Sequence, residues 1–201
     1  MDAEDARICF LRHTTSKLST FNDLQTITTF GFRGEALASI CSVARVCITT
    51  RHTNDNHGIK LTICNDVIEK EEIIGAPIGT TISINDLFYN VPARQKFLKT
   101  TITEWNQIVQ LFKAFCLSNL SIHFTLINND IESYNCTPVF TLEERISQLF
   151  DNIISKQTLK LCTTDNDNCT GIITGPHYSR YDRSGIFIFV NKRWIKNYSL
   201  S

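Results

Sequence analysis

No stretch of this chain is apolar for long enough to cross a membrane, and Met1 does not open a basic segment followed by an apolar one. A membrane-spanning helix and a cleaved secretion signal are therefore not expected, and an intracellular setting is. An excess of charge is missing too: 20 basic side chains stand against 20 acidic ones, for a formal net charge of zero. Whole-chain charge thus argues neither for nor against a nucleic-acid partner; only a local patch could. Eight cysteines are present (Cys9, Cys41, Cys47, Cys64, Cys116, Cys136, Cys162 and Cys169), yet none form a Cys-x-x-Cys pair. Most sit among apolar neighbours, the pattern of buried free thiols in a reducing compartment rather than of a disulfide framework or a zinc site. Asn135-Cys136-Thr137 and Asn168-Cys169-Thr170 fit a glycosylation acceptor, but without a secretion signal they read as accidental. Metal-ligand spacing, internal repeats and low-complexity runs are absent as well.

What is there is a chain of 201 residues, 42% apolar, enough for a core and for one domain or one and a part. Met1 to Leu11 reads as a short helix with Ala6, Cys9 and Phe10 toward a core. Thr14 to Thr29 is polar and reads as loop, short helix, loop. From Val46 a strand series begins: Val46, Ile48 and Thr50 alternate, then Ile59, Leu61 and Ile63, then a short strand that starts at Val67-Ile68, enters the acidic run Glu69 to Glu72 and breaks at Gly75-Ala76-Pro77, then Ile78, Thr80, Ile82 and Ile84. Asn54 to Gly58 and Asn65-Asp66 supply the turns. Strands joined this closely pair antiparallel, and helices on one face give a two-layer α/β sandwich. Pro92 fits a first helical position. Thr101-x-x-Glu104 and Thr141-x-x-Glu144 are capping boxes opening two helices. In the first of these, Trp105, Ile108, Val109, Phe112, Phe115 and Cys116 form one apolar stripe. Between them, Leu120, Ile122, Phe124 and Leu126 alternate as a strand, with His123 on its polar face, and Asn128 to Asp130 turns the chain. Ile186 to Val190 is apolar throughout, as in a buried central strand. The organisation changes near residue 140, so two parts are expected, 1–140 and 141–201.

Gly31-Phe32-Arg33-Gly34-Glu35 carries the chemistry. It runs into a helical pattern in which Leu37, Ile40, Cys41 and Ala44 share a face. Backbone N–H groups at a helix start have no partner within the helix, glycines admit close approach, and Arg33 adds a fixed forked cation. Together they suit phosphate oxygens. On spacing alone a loop-to-helix turn, with Glu35 at the positive helix end, accounts for the same residues.

Gly31 to Ile40 resembles the signature of the MutL family of DNA mismatch-repair proteins. Two further blocks agree in order and neighbourhood. Upstream stand Arg12-His13-Thr14-Thr15-Ser16-Lys17-Leu18 and Asp23-Leu24. Downstream stand Gly79-Thr80, Asp86-Leu87-Phe88-Tyr89-Asn90-Val91-Pro92-Ala93-Arg94 and Lys96-Phe97-Leu98. Phe189 to Arg193 is a weaker match. Through the gyrase, chaperone, histidine-kinase and MutL superfamily, the resemblance implies a truncated Bergerat-type ATP-binding domain followed by the start of a ribosomal-protein-like β-α-β domain. It makes the polar stretch after Thr14 an ATP lid, with Thr15, Ser16 and Lys17 near the phosphates, and assigns nucleotide contacts to Arg33, Gly34, Glu35, Ala36, Leu37 and Thr80. ATP and Mg²⁺ are the implied cofactors. The implied partners are a second MutL-type protein, as homodimer or heterodimer, a mismatch-recognition protein of the MutS type, and DNA without sequence preference. Arg94, Lys96 and Lys99 form a local basic cluster for that DNA, although Gln95 stands where the family commonly has another basic residue.

The family also needs a helix with a catalytic glutamate and a metal-holding asparagine, then an Asp-Asn-Gly-x-Gly stretch, both before the lid, and a lysine late in the second domain. No Asp-Asn-Gly occurs here. Neither Glu35 nor Glu104 replaces the missing base, so no catalytic residue is assigned. The expectation is a fragment of a mismatch-repair ATPase, binding ATP weakly or not at all by itself, with an apolar sheet edge left exposed. The alternative is a non-catalytic DNA-binding or dimerisation module left from a degenerate gene. A gyrase-type or chaperone ATPase would share the fold, but Gly31 to Leu37 with Asp86 to Arg94 argues against it.

Overall fold

A computed structural model describes residues 1–15, 29, 31, 33–150, 158–162, 169–175 and 182–196. The chain separates into two compact units, Met1–Lys99 and Thr100–Ser201.

The first unit is built on one antiparallel sheet. Its strands are β1 (Arg45–Arg51), β2 (Gly58–Cys64), β3 (Val67–Ile74) and β4 (Gly79–Asn85), in the order β3-β2-β1-β4. The period-two pattern sets the register. Val46, Ile48 and Thr50 lie opposite Ile63, Leu61 and Ile59 on one side and Ile84, Ile82 and Thr80 on the other. Those residues form the apolar face. Cys47 and Thr49, opposite Thr62, Lys60, Ser83 and Thr81, form the polar one. Helices α1 (Ala3–Ile8) and α2 (Ala36–Cys41) contribute to the core on the apolar face. Asp2 caps α1 by accepting from the Asp5 backbone N–H at 2.8 Å. Ala6, Phe10, Cys41, Ala44, Val46, Ile48, Ile59, Leu61 and Ile63 make one buried cluster. Each of its large aliphatic side chains contributes roughly 1.5–3 kcal/mol through burial. Two layers, helices on sheet, are as the alternation implies.

β3 starts at Val67-Ile68, enters the acidic run and ends at Ile74, just before the Gly75-Ala76-Pro77 break, as the sequence reads. It runs through the acidic stretch to Ile74 because ion pairs offset the acids: Arg7 of α1 grips Glu71 in fork geometry, at 2.6 and 3.1 Å, and Lys70 meets Glu72 at 2.9 Å. These cations hold both carboxyls below the usual carboxylate range. Asn65 and Asp66 turn β2 into β3 with φ of 51° and 62°, the two-residue turn that suits twisted strands. All seven residues of β4 are exposed, Ile82 and Ile84 among them, so the expected apolar edge is present.

In the second unit, α4 (Thr101–Ser118) and α5 (Leu142–Leu149) accompany the hairpin β5 (Phe124–Asn128) and β6 (Ile131–Cys136). The short α3 (Pro92–Gln95) precedes them in the first unit, with proline in its first turn. Phe112, Cys116, Cys136 and Leu149 form the buried centre, with Phe124 set edge-on to Phe112 at 6.2 Å. The Thr141–Glu144 capping box is formed in both directions. The other box is displaced: Thr100, not Thr101, accepts from the Thr103 N–H. Strand β5 begins at Phe124 rather than Leu120, because the carbonyls of Leu120 and Ile122 are taken by Arg145. Two further antiparallel pairs are β7 (Thr158–Cys162) with β8 (Thr170–Thr174), and β9 (Ile188–Val190) with β10 (Arg193–Ile195). Strand β9 is not a buried central strand. It belongs to a two-stranded hairpin, and Ile186 and Val190 are 45% and 52% exposed. The compact units divide at 99/100, whereas residue 140 lies between β6 and α5, which share one core. Among the described residues, no helix is long and apolar enough to cross a membrane.

Candidate functional site

The loop before α2 is where two distant sequence blocks meet. Gly34 has φ +63°, a left-handed conformation that glycine adopts without penalty. The backbone of Thr14 lies directly against it: a Cβ on Gly34 would fall 2.3 Å from the Thr14 carbonyl oxygen. His13, also at φ 63°, places Nδ1 3.4 Å from Glu35 Oε1. Glu35 occupies the N-cap position of α2, but its side chain makes no capping bond; it faces His13 instead. The sequence weighed Glu35 as a helix-end charge and did not mark His13, whose only signal was its place in the Arg12–Leu18 block.

Helix α2 is shorter than its apolar pattern, six residues ending at Cys41, with Ala44 buried in the link to β1. Ala36 is exposed and Leu37 partly buried against the core, so Leu37 anchors the loop while Ala36 leaves its backbone approachable. A Cβ on Gly31 would meet nothing within 4 Å, which leaves open space above that backbone. Arg33 is exposed, and Thr15 half-buried. Ser16 and Lys17, also assigned to the phosphates, lie outside the described residues, as does most of the stretch read as a lid.

Thr80 sits elsewhere, at the start of β4. Its hydroxyl is 2.8 Å from that of Thr50, and the Thr50 hydroxyl also lies 2.8 Å from the Met1 carbonyl oxygen and 3.1 Å from that of Gly79. Thr50 is 1% exposed and has one proton, and the two carbonyls can only accept. That proton therefore goes to a carbonyl, and Thr80 donates to Thr50. Thr80 is left with lone pairs to offer. It can accept from a water or an amino group, but it does not donate to a phosphate oxygen while this bond stands. Gly79, at φ +130° with nothing near a built Cβ, leaves the approach open. Thr50 was read only as a strand residue.

A third cluster fixes the Asp86–Asn90 segment. Tyr89 donates to Asn65 Oδ1 at 2.7 Å and lies 3.1 Å from Cys64 Sγ. Asn90 Nδ2 donates to the Ser42 carbonyl at 2.9 Å, and the Phe88 N–H to Val43 at 2.7 Å. Arg45 stacks over the Tyr89 ring and meets Asp86 at 3.5 Å. The segment is thus stapled to both the β2–β3 turn and the α2–β1 link. It holds α3 and the exposed Arg94, Lys96 and Lys99 beyond it, with Phe97 85% exposed.

Burial pushes the Cys41 thiol up to about 11. Burial, then the neighbouring Cys136, pushes Cys116 up to about 12. Both stay protonated and unreactive at neutral pH.

No protein-family model matches the chain. Curated relatives do, over nearly its whole length. The DNA mismatch repair protein MutL of Bacteroides fragilis is 37% identical over 198 residues, and that of Phocaeicola vulgatus 38%, each match covering 98% of this chain. The chain belongs to the MutL family. It spans 32% of the length of either relative. The MutL ATPase domain of Aquifex aeolicus, solved in complex with ADP, matches 90% of this chain and 68% of that one at 26% identity, with a TM-score of 0.66. The crystal structure of the N-terminal domain of a DNA repair protein matches the fold over 100% of this chain and 63% of that one, with a TM-score of 0.79 at 22% identity. The fold is accordingly that of a MutL ATPase domain, an antiparallel sheet with helices.

Proposed function

We propose that this chain forms the phosphate-facing share of a nucleotide site in a MutL-type mismatch-repair ATPase. The observation that carries the reading is the meeting of Thr14 with Gly34 and of His13 with Glu35, which brings the two MutL blocks into one place. ATP is the nucleotide, a reading supported by the ADP complex of the Aquifex relative. Thr15, Ser16, Lys17, Arg33, Gly34, Glu35, Ala36 and Leu37 serve its phosphates. Thr80, presenting lone pairs, serves a water or amino group on the base side.

A Mg²⁺ ion does not fit the described residues alone. Among them, no three His, Cys, Asp or Glu side chains converge, and the loop carboxylate of Glu35 faces His13. In the whole protein, nucleotide binding brings two MutL-type N-terminal domains together and passes a signal from a MutS-type protein to strand nicking and excision. Arg94, Lys96 and Lys99 face DNA phosphates without reading sequence. The later part of the chain begins a ribosomal-protein-like β-α-β domain, and the part before it belongs to the ATP-binding one.

Titration of this chain with a fluorescent ATP analogue tests the division of the site. No micromolar affinity is expected, because the sequence holds no Asp-Asn-Gly stretch to read adenine. Micromolar binding would overturn it.

A further inference from the structure

The contact at Gly34 makes two separate demands. The backbone must sit at φ +63°, and the space where a side chain would begin must be empty, because the Thr14 carbonyl oxygen, carbon and nitrogen lie 2.3, 2.6 and 2.9 Å from a built Cβ. All three are backbone atoms, so no side-chain rotation relieves the clash. Gly31 faces no such demand, with nothing within 4 Å. Beside this contact, His13 reaches Glu35 across 3.4 Å.

We propose that Gly34 and Glu35 form a clasp that seats residues 13 and 14 and ties together the two ends of the segment between Thr15 and Arg33. Gly34 supplies the empty space, and Glu35 supplies the polar tether. Both act as positioning residues. The contact between residues 13–14 and 34–35 stands before any ligand arrives, so the entropy of bringing them together is not charged against binding. It also seats Thr14, the residue before Thr15, against the Gly34 backbone. Its purpose rests on the nucleotide reading, but its geometry does not.

The test is limited tryptic cleavage of the whole chain without nucleotide, followed by mass spectrometry. Cleavage after Arg12 and Arg33 reports the clasp; cleavage after Arg45 and Lys60, inside β1 and β2, reports global unfolding. Proteolysis tracks the population of the open form, so Gly34→Ala should speed the first pair about tenfold and leave the second unchanged. Gly34→Asn separates the two demands, since asparagine tolerates the left-handed region but carries a Cβ. It should open the clasp as Gly34→Ala does, Glu35→Gln should open it less, and Gly31→Ala should behave as the native chain.

A native-like Gly34→Asn would overturn the proposal. A second measurement covers variants that fail to fold and leaves Gly34 intact: His13→Lys treated with a carbodiimide should form an amide to Glu35, seen as one linked peptide. Absence of that peptide from the folded protein would overturn the clasp. Because no nucleotide is used, its failure leaves the nucleotide reading standing, and loss of nucleotide binding with the linked peptide present leaves the clasp standing.

Discussion

At the scale of single residues, the cysteines show how burial settles chemistry. Cys41 and Cys116 are fully buried, while Cys169 is exposed. In the folded chain the Cys41 thiol titrates near 11, raised from its ordinary value of 9.0 by desolvation. A raised value means that the native state holds its proton after the unfolded chain has lost one. The contribution to stability is therefore whole below pH 9 and is lost as pH rises from 9 through 11. Urea midpoints measured from pH 8 to pH 11 should fall, and Cys41→Ala should flatten part of that fall. Alkylation at pH 8 should modify Cys169 well before Cys41 or Cys116. A midpoint independent of pH, or prompt labelling of Cys41, would contradict the burial. The burial of Cys41 and Cys116 was legible from their apolar neighbours alone. The Thr50–Thr80 pairing was not, because strand alternation says which residues share a face but not which hydroxyl gives up its proton.

At the scale of elements, Arg145 binds α5 to the end of α4. It is fully buried, donates to the carbonyls of Leu120 and Ile122 at 2.8 and 3.0 Å and to Gln148 Oε1 at 2.8 Å, and its Nε has no partner among the described residues. Those carbonyls follow the C-terminus of α4, a favourable place for a cation. Arg145→Ala removes the charge, opens a cavity and strands the acceptors, and should cost about 3 kcal/mol in denaturant unfolding. Arg145→Met keeps most of the volume and should cost less, since apolar replacement of a buried charge is often tolerated. Equal losses would contradict a role in both packing and hydrogen bonding. Element by element, the strands of the first sheet were plain from period-two alternation, and one helix start from its capping box. What balances the acids of β3 was hidden, because Arg7, the partner of Glu71, is distant in sequence. The late start of β5 was hidden because its backbone partner is a side chain on another element.

At the scale of the whole molecule, the sheet, the loop and the Asp86–Asn90 segment are local products of sequence, while the site is not. Its parts come together only through tertiary approach, Thr14 on Gly34 and His13 on Glu35. The MutL blocks pointed to these residues without giving their geometry. The most direct test is a chimera in which this chain replaces the matching segment of the Bacteroides fragilis protein, 37% identical to it. The account predicts that the folded chimera binds an ATP analogue within about tenfold of its parent, a difference of roughly 1.4 kcal/mol, and that Gly34→Ala in the chimera abolishes that binding. A folded chimera that binds no nucleotide would contradict it.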